Sequence, residues 1–187
     1  SVSRRQITDL ATGQWIDRKE GLLIVGPSGV GKSHLAQALG QEACRRGYNV
    51  VFTTVIKMLA QINGGRADGT HPKRLANYLR PDLLILDDFG LKPLRGYEPE
   101  DLYEVINERY ERGSILATSN RDYNEWPDAF GDNPLLASAA LDRLAHRADA
   151  RARPAGETDG ATDRVPPPRR RDGRGAGDLR GGTAVQL

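Results

Sequence analysis

The chain has 187 residues, with 27 basic and 25 acidic side chains and a formal net charge of +2. That length suits one domain of ordinary size plus an appendage, and the near balance of charge does not mark a strong polyanion binder, while leaving room for a local basic patch. A lone cysteine, Cys44, excludes an internal disulfide and points to a reducing compartment, and no apolar run approaches the ~20 residues of a membrane span.

Taken in chain order, residues 1–20 read as an N-terminal linker, with Trp15 packing ahead of the first strand. No secretory leader precedes Arg4 and Arg5, so a cytoplasmic protein with no membrane partner is expected. Residues 21–25 (GLLIV) form a short apolar run closed by a glycine-rich loop, the pattern of a buried parallel strand. Leu35, Ala38, Leu39 and Ala43 then recur at helical spacing, Cys44 reads as a small buried residue of that helix, and Gly47 sits where a C-cap glycine would. Residues 49–54 (NVVFTT) are β-branched and aromatic, a second strand. Residues 55–62 and 73–79 each read as a short helix, with Gly64, Gly65, Gly69 and Pro72 as a loop between them.

Residues 83–86 (LLIL) form a third buried strand, with Asp87 and Asp88 at its C-terminal end. A helix over 100–112 turns Leu102, Val105, Ile106 and Tyr110 inward, and Gly113 closes it. Residues 114–118 (SILAT) form a fourth strand ending at Ser119 and Asn120. Trp126 packs within the 121–133 loop. The last helix, 134–147, presents Leu135, Leu136, Ala139, Leu141 and Leu144. Strands alternating with helices imply an α/β fold, a parallel sheet covered on both faces, over residues 21–147.

Composition breaks near residue 150. Residues 151–187 hold eight Arg, five acids, no Lys and no aromatic, which leaves 19 basic and 20 acidic groups before them. Such a segment buries too little apolar surface to offset chain entropy, so residues 148–187 are expected to be a disordered tail.

Residues 26–33 (GPSGVGKS) fit GxxxxGK[ST] at every fixed position and lie between a strand and a helix, as the mechanism requires. The cofactor-binding set is Gly26, Pro27, Ser28, Gly29, Val30, Gly31, Lys32, Ser33 and the adjoining His34. The glycines let backbone N–H groups curl around phosphate, and the helix starting near Lys32 adds the positive end of its dipole. Lys32 reaches the β- and γ-phosphates as a point charge, and the Ser33 hydroxyl is a hard-oxygen ligand for Mg²⁺. His34 is otherwise a packing or helix-start residue.

A phosphate loop needs a carboxylate for its metal at the end of a neighbouring strand, and Asp87 supplies it. Asp88 is then the group that orients or deprotonates the attacking water. Strand ends of an open sheet share one crevice, so the Asn120 amide can position that water. Arg121, Arg143 and Arg147 are available to neutralise transition-state charge on a neighbouring subunit's nucleotide, Arg143 foremost. His71 and His146 have no partner at metal-ligand spacing.

The stretches GPSGVGKSHLAQALG, LLILDDFGL, ILATSN and ASAALDRLAH together resemble the IstB-like AAA+ ATPases, helpers of insertion-sequence transposases and relatives of the DnaC-type helicase loaders. The resemblance runs from about Gly21 to His146. It implies a P-loop three-layer sandwich, ATP and Mg²⁺ as cofactors, and homo-oligomers with ATP at subunit interfaces. It also implies double-stranded DNA bound with little sequence preference and a transposase as partner. Residues 26–33 match Walker A, Asp87 and Asp88 match Walker B, Asn120 matches sensor I, and Arg143 falls at the arginine-finger position. Lys57, Arg66, Lys73, Arg74, Lys92 and Arg95 are candidates for a DNA-facing surface. A replicative helicase as partner, or a nucleotide-binding remnant with little activity, are the alternatives.

The sequence departs from that pattern twice. Relatives carry a helical region ahead of the core, where this chain has about 20 residues. Relatives also continue from the ALDRL helix into an apolar strand that pairs beside the first. Residues 150–156 (ARARPAG) stand there instead, so the fifth strand and the C-terminal lid are expected to be missing, with low stability as the consequence. Codons can be chosen for 150–156 that encode His-Val-Leu-Val-Leu-Arg when read one nucleotide later, so a shifted reading frame is one account of the tail. A basic linker or nucleic-acid-binding tail is the other.

Overall fold

The computed structural model describes residues 3–131, 133–145, 148–149 and 182–186. A short N-terminal pair, α1 (Arg4–Ala11) and α2 (Gln14–Asp17), leads into β1 (Leu22–Val25) and α3 (Lys32–Arg45). Then come β2 (Val50–Thr54), α4 (Val55–Ala67), α5 (His71–Leu79) and β3 (Leu83–Asp87). The chain continues through α6 (Glu98–Arg109), β4 (Ser114–Ser119), a 3₁₀ segment (Tyr123–Phe130) and α7 (Pro134–Ala145). Two further strands, β5 (Ala148–Asp149) and β6 (Gly182–Gln186), complete the sheet.

Strands β1 to β4 form the expected all-parallel sheet, in the order β2-β3-β4-β1. The β3 stretch Leu83–Asp87 is buried throughout, as a central strand covered on both faces must be. Edge strand β2 is only partly covered, and Phe52 is 39% exposed. One core layer joins α4, α5, α6 and α7 to one sheet face, through Met58, Leu59, Leu75, Val105 and Leu141 among others. The opposite face carries α1 to α3, through Leu10, Trp15, Ile16, Ala36 and Leu39. Residues 4–17 therefore contribute buried side chains to the body of the protein, with Trp15 donating its indole N–H to the Leu10 carbonyl at 3.0 Å.

Four details differ from the expectations. The sheet position beside β1 is filled: Gly182–Gln186 runs parallel to it, with Leu22 opposite Thr183 and Val25 opposite Gln186. Thr183 and Val185 are β-compatible residues, and the outer ladder of β1 would otherwise be open. Ala148–Asp149 pairs on the outer side of β6. The reading of residues 150–181 as a disordered, frame-shifted tail lies outside the described residues.

Helix α4 does not stop at residue 62 but runs through Gly64 and Gly65. A Cβ on Gly65 would meet the His71 backbone at 2.7 Å, and one on Gly64 would meet the Arg74 guanidinium at 2.9 Å. These glycines serve helix–helix approach rather than a loop. Helix α7 buries Ala137, Ala140, Leu141 and Leu144, while Leu135 is 83% exposed and Ala139 half-buried. Cys44 is exposed, not buried, because α3 turns Ala36, Leu39, Gly40 and Ala43 inward.

Arg109 is the largest surprise of the core. It is fully buried and donates to the carbonyls of Tyr78, Leu79, Pro81, Asp82 and Ser114, at 2.7–3.3 Å. Burial pushes its pKa down to about 10, so at neutral pH it remains a cation with its donors intact. It ties the end of α5 to the starts of β3 and β4. The expected inward stripe ended in Tyr110, but Tyr110 is the half-buried C-cap of α6 and Arg109 takes the buried place.

Candidate nucleotide site

The site is built where β1, β3 and β4 end. Between β1 and α3 the chain turns through Gly29 (φ +83°) and Gly31 (φ +95°), both in the left-handed region that side chains resist. Space around both is open, with no atom within 4 Å of a would-be Cβ. The result is an exposed loop, residues 27–30, ending at the N-terminus of a 14-residue helix. Backbone N–H groups and helix dipole favour an anion there. Lys32 folds back, donating from Nζ to the Pro27 carbonyl at 2.8 Å. His34 is exposed in the first turn of α3.

The loop is pinned to its neighbours. The N–H of Gly26 donates to the Ser119 carbonyl at 3.2 Å. Asn120 Nδ2 lies 3.5 Å from Ser28 Oγ. Ser33 Oγ donates to Asp87 Oδ1 at 2.9 Å. Asp87 is 7% exposed at the last position of β3. A hydroxyl and a carboxylate sharing one hydrogen bond form a hard-oxygen pair of the kind Mg²⁺ takes alongside phosphate and water. Among the described residues there is no group of three or more His, Cys, Asp or Glu that could hold a metal. The residues present fit Mg²⁺ bound together with a phosphate group.

Asp88 follows with φ +58°, a left-handed conformation for a residue with a side chain. That costs about 1–2 kcal/mol and persists only if held. The Asp88 N–H donates to Thr118 Oγ1 at 3.2 Å and the Phe89 N–H to the Thr118 carbonyl at 2.8 Å. Ser119 Oγ donates to the Phe89 carbonyl at 2.8 Å. Phe89 itself is buried against Trp126, ring centroids 4.3 Å apart. Thr118 and Ser119 were missed as site residues. Their signal was the hydroxyl pair ending β4, one strand over from the acids.

The structure therefore brings together residues 26–33, Asp87, Asp88 and Asn120, drawn from three strand ends. It does not bring Arg143 to them. Arg143 donates to the Ala139 carbonyl of its own helix at 2.8 Å, and its guanidinium lies 5.5 Å from the Tyr103 ring centroid. It lines a small cleft with Gly21 and Gly113, which precede β1 and β4, at the opposite end of the sheet from the phosphate loop. Arg121 follows Asn120 and is half-buried; Arg147 and His146 lie outside the described residues.

Three of the six DNA candidates are engaged within the fold. Arg66 pairs with buried Asp101 at 2.5 Å, Arg74 with Asp68 at 2.7 Å and Lys92 with Glu98 at 3.6 Å. Lys57, Lys73 and Arg95 are exposed and make no ion pair among the described residues. His71 also faces Asp101, at 3.0 Å. A separate open groove of about 540 Å³ runs along α3 and β2, lined by Gln37, Cys44 and Phe52 among others. It shares no residue with the phosphate loop.

Residues 1–153 match the family model described as IstB-like ATP binding protein. The chain belongs to that family. It is 41% identical over 146 residues to the ATP-binding protein of insertion sequence IS5376 from Geobacillus stearothermophilus, covering 78% of this chain and 58% of that protein. An insertion-sequence ATP-binding protein from Mycobacterium tuberculosis is 42% identical over 139 residues, covering 74% and 55%. The chain thus spans somewhat more than half the length of these relatives. In fold it is similar to the DnaC helicase loader, with a TM-score of 0.64 at 23% identity, covering 74% of this chain and 83% of that one. It is also similar to AMPPCP-bound DnaA from Aquifex aeolicus, with a TM-score of 0.63 at 25% identity, covering 78% and 45%. The P-loop AAA+ sandwich expected from the sequence is the observed fold. No helix among the described residues is long and apolar enough to cross a membrane.

Proposed function

We propose that this chain binds ATP with Mg²⁺ and hydrolyses it as a helper of DNA transposition. In this reading it binds double-stranded DNA with little sequence preference, in the cytoplasm, and activates a transposase. The single observation that carries the nucleotide chemistry is the Ser33–Asp87 hydrogen bond, which couples the phosphate loop to the acid pair across the sheet. The insertion-sequence relatives support the transposition setting.

The chain's residues divide the work. Backbone N–H groups of residues 28–33 hold the phosphates. Lys32 exchanges its Pro27 carbonyl for phosphate oxygens. Ser33, and Asp87 through water, would hold Mg²⁺, which would supply neutralisation of phosphate charge. Asp88 orients the attacking water and accepts its proton, and the Asn120 amide fixes that water's position. Arg143, at the far end of its own sheet, serves the nucleotide of an adjacent copy in a homo-oligomer.

The test is ATP turnover with and without double-stranded DNA, for the natural chain and Lys32→Ala. Turnover that rises with DNA and vanishes in Lys32→Ala supports the reading. Nucleotide binding without turnover under either condition supports a remnant instead. Stimulation by a replicative helicase, and none by an insertion-sequence transposase, moves the assignment to a helicase loader.

A further inference from the structure

Thr118 lies at the meeting point of both acids. Its hydroxyl donates to Asp87 Oδ1, the oxygen that also accepts from Ser33. Thr118 Oγ1 in turn accepts the N–H of Asp88 at 3.2 Å. Thr118 is 1% exposed, so no solvent competes for these bonds.

A hydroxyl has one proton. A carboxylate can only accept, so that proton belongs to Asp87. The lone pairs are thereby left to the Asp88 N–H, and both bonds are satisfied by one group in one rotamer. Each bond does something different. The bond to Asp87 selects which carboxylate oxygen faces β4 and holds the carboxylate plane against Ser33. The bond from Asp88 anchors a backbone in the left-handed region, at the point where the chain leaves β3. A valine of equal shape would keep the packing and lose both.

We propose that Thr118 is a positioning residue that sets the orientation of the metal-holding acid and the water-activating acid together. It touches neither nucleotide nor metal; it acts through Asp87 and Asp88. This rests on the reading of residues 26–33, Asp87 and Asp88 as an ATP site.

The experiment compares the natural chain, Thr118→Val, Thr118→Ser and Lys32→Ala. Affinity for a fluorescent ATP analogue is measured with and without Mg²⁺, alongside turnover. In Thr118→Val, metal-free affinity should stay within about twofold, while the gain on adding Mg²⁺ and the kcat should each fall about 10–100-fold, the range for groups that orient metal ligands. Thr118→Ser keeps the hydroxyl and should stay within about threefold of the natural chain on both measures. Val retaining the full Mg²⁺ gain and kcat overturns the proposal. So does Ser losing as much as Val, which would make the methyl group the important part. If Val does not fold, Thr118→Ala takes its place, with the same losses expected and the same results overturning the proposal. If the natural chain binds the analogue no better than Lys32→Ala, the ATP reading fails, and the proposal falls with it.

Discussion

Ser33 and Asp87, 54 residues apart in the chain, are joined by a hydrogen bond of 2.9 Å between the helix that follows the phosphate loop and the end of β3. The bond sets a hydroxyl and a carboxylate side by side, the pair proposed above to hold Mg²⁺. Ser33→Ala removes one of the two proposed ligands and the donor that holds the other. The Mg²⁺-dependent part of nucleotide affinity should fall by about tenfold or more, while metal-free affinity persists. Calorimetric titration with ADP, with and without Mg²⁺, reads the difference.

Asp88 separates backbone strain from charge. Asp88→Asn keeps a residue type that tolerates the left-handed region and removes the proposed base. Turnover should fall by about 100-fold or more with an unchanged melting temperature. Asp88→Gly should also lose turnover yet gain up to about 1 kcal/mol of stability, since glycine adopts φ +58° without penalty. Paired melts and rate measurements test both, and an Asp88→Gly variant less stable than the natural chain would contradict the strain argument.

Arg109 carries structural weight that no chemistry requires. Arg109→Met strips donors from five buried or partly buried carbonyls. The cost should be at least about 3 kcal/mol, given about 1–3 kcal/mol for each buried group left unsatisfied. Urea titration should show the midpoint shifted with little change in slope.

Beside β1, Gly182–Gln186 supplies the ladder partner. Deleting residues 182–187 should lower the melting temperature by on the order of 5 °C, using about 2–4 °C per kcal/mol for a chain of this size. An unchanged melt would mean that β6 adds no stability.

Acid should loosen the entry to α5 first. Asp68 accepts from the Thr70 hydroxyl and N–H and pairs with Arg74. The Thr70 bonds foremost hold its pKa below the ordinary 3.8. A depressed carboxylate contributes stability above its unfolded pKa and loses it as pH falls through the folded one. Hydrogen exchange of α5 amides should therefore be steady from pH 7 to 5 after correction for intrinsic rates. Protection should then be lost below about 3.8, and Asp68→Asn should show the reduced protection already at pH 7.

Much of the site was legible because it is written in short contiguous runs. Residues 26–33 carry their own backbone requirements, and LLIL followed by two acids announces a buried strand with chemistry at its end. Thr118 was not legible as a positioning group, because a threonine ending a strand is ordinary until the strand beside it ends in two acids. Gly64 and Gly65 look like loop residues until Arg74 and His71 are found packed on them.

Local sequence was enough for the α/β alternation, the phosphate loop, the candidate acids and Asn120, since each rests on spacing along a strand, a helix or a tight turn. Tertiary structure alone decided the rest. It showed that Ser33, Asp87 and Thr118 share one carboxylate oxygen, that Arg143 lies at the far end of the sheet, and that Arg109 is a buried strut. It also showed that the neighbour of β1 comes from residues 182–186. These depend on contacts between segments far apart in the chain, and a hydrogen-bond partner or a sheet neighbour across such a gap leaves no periodic trace in sequence.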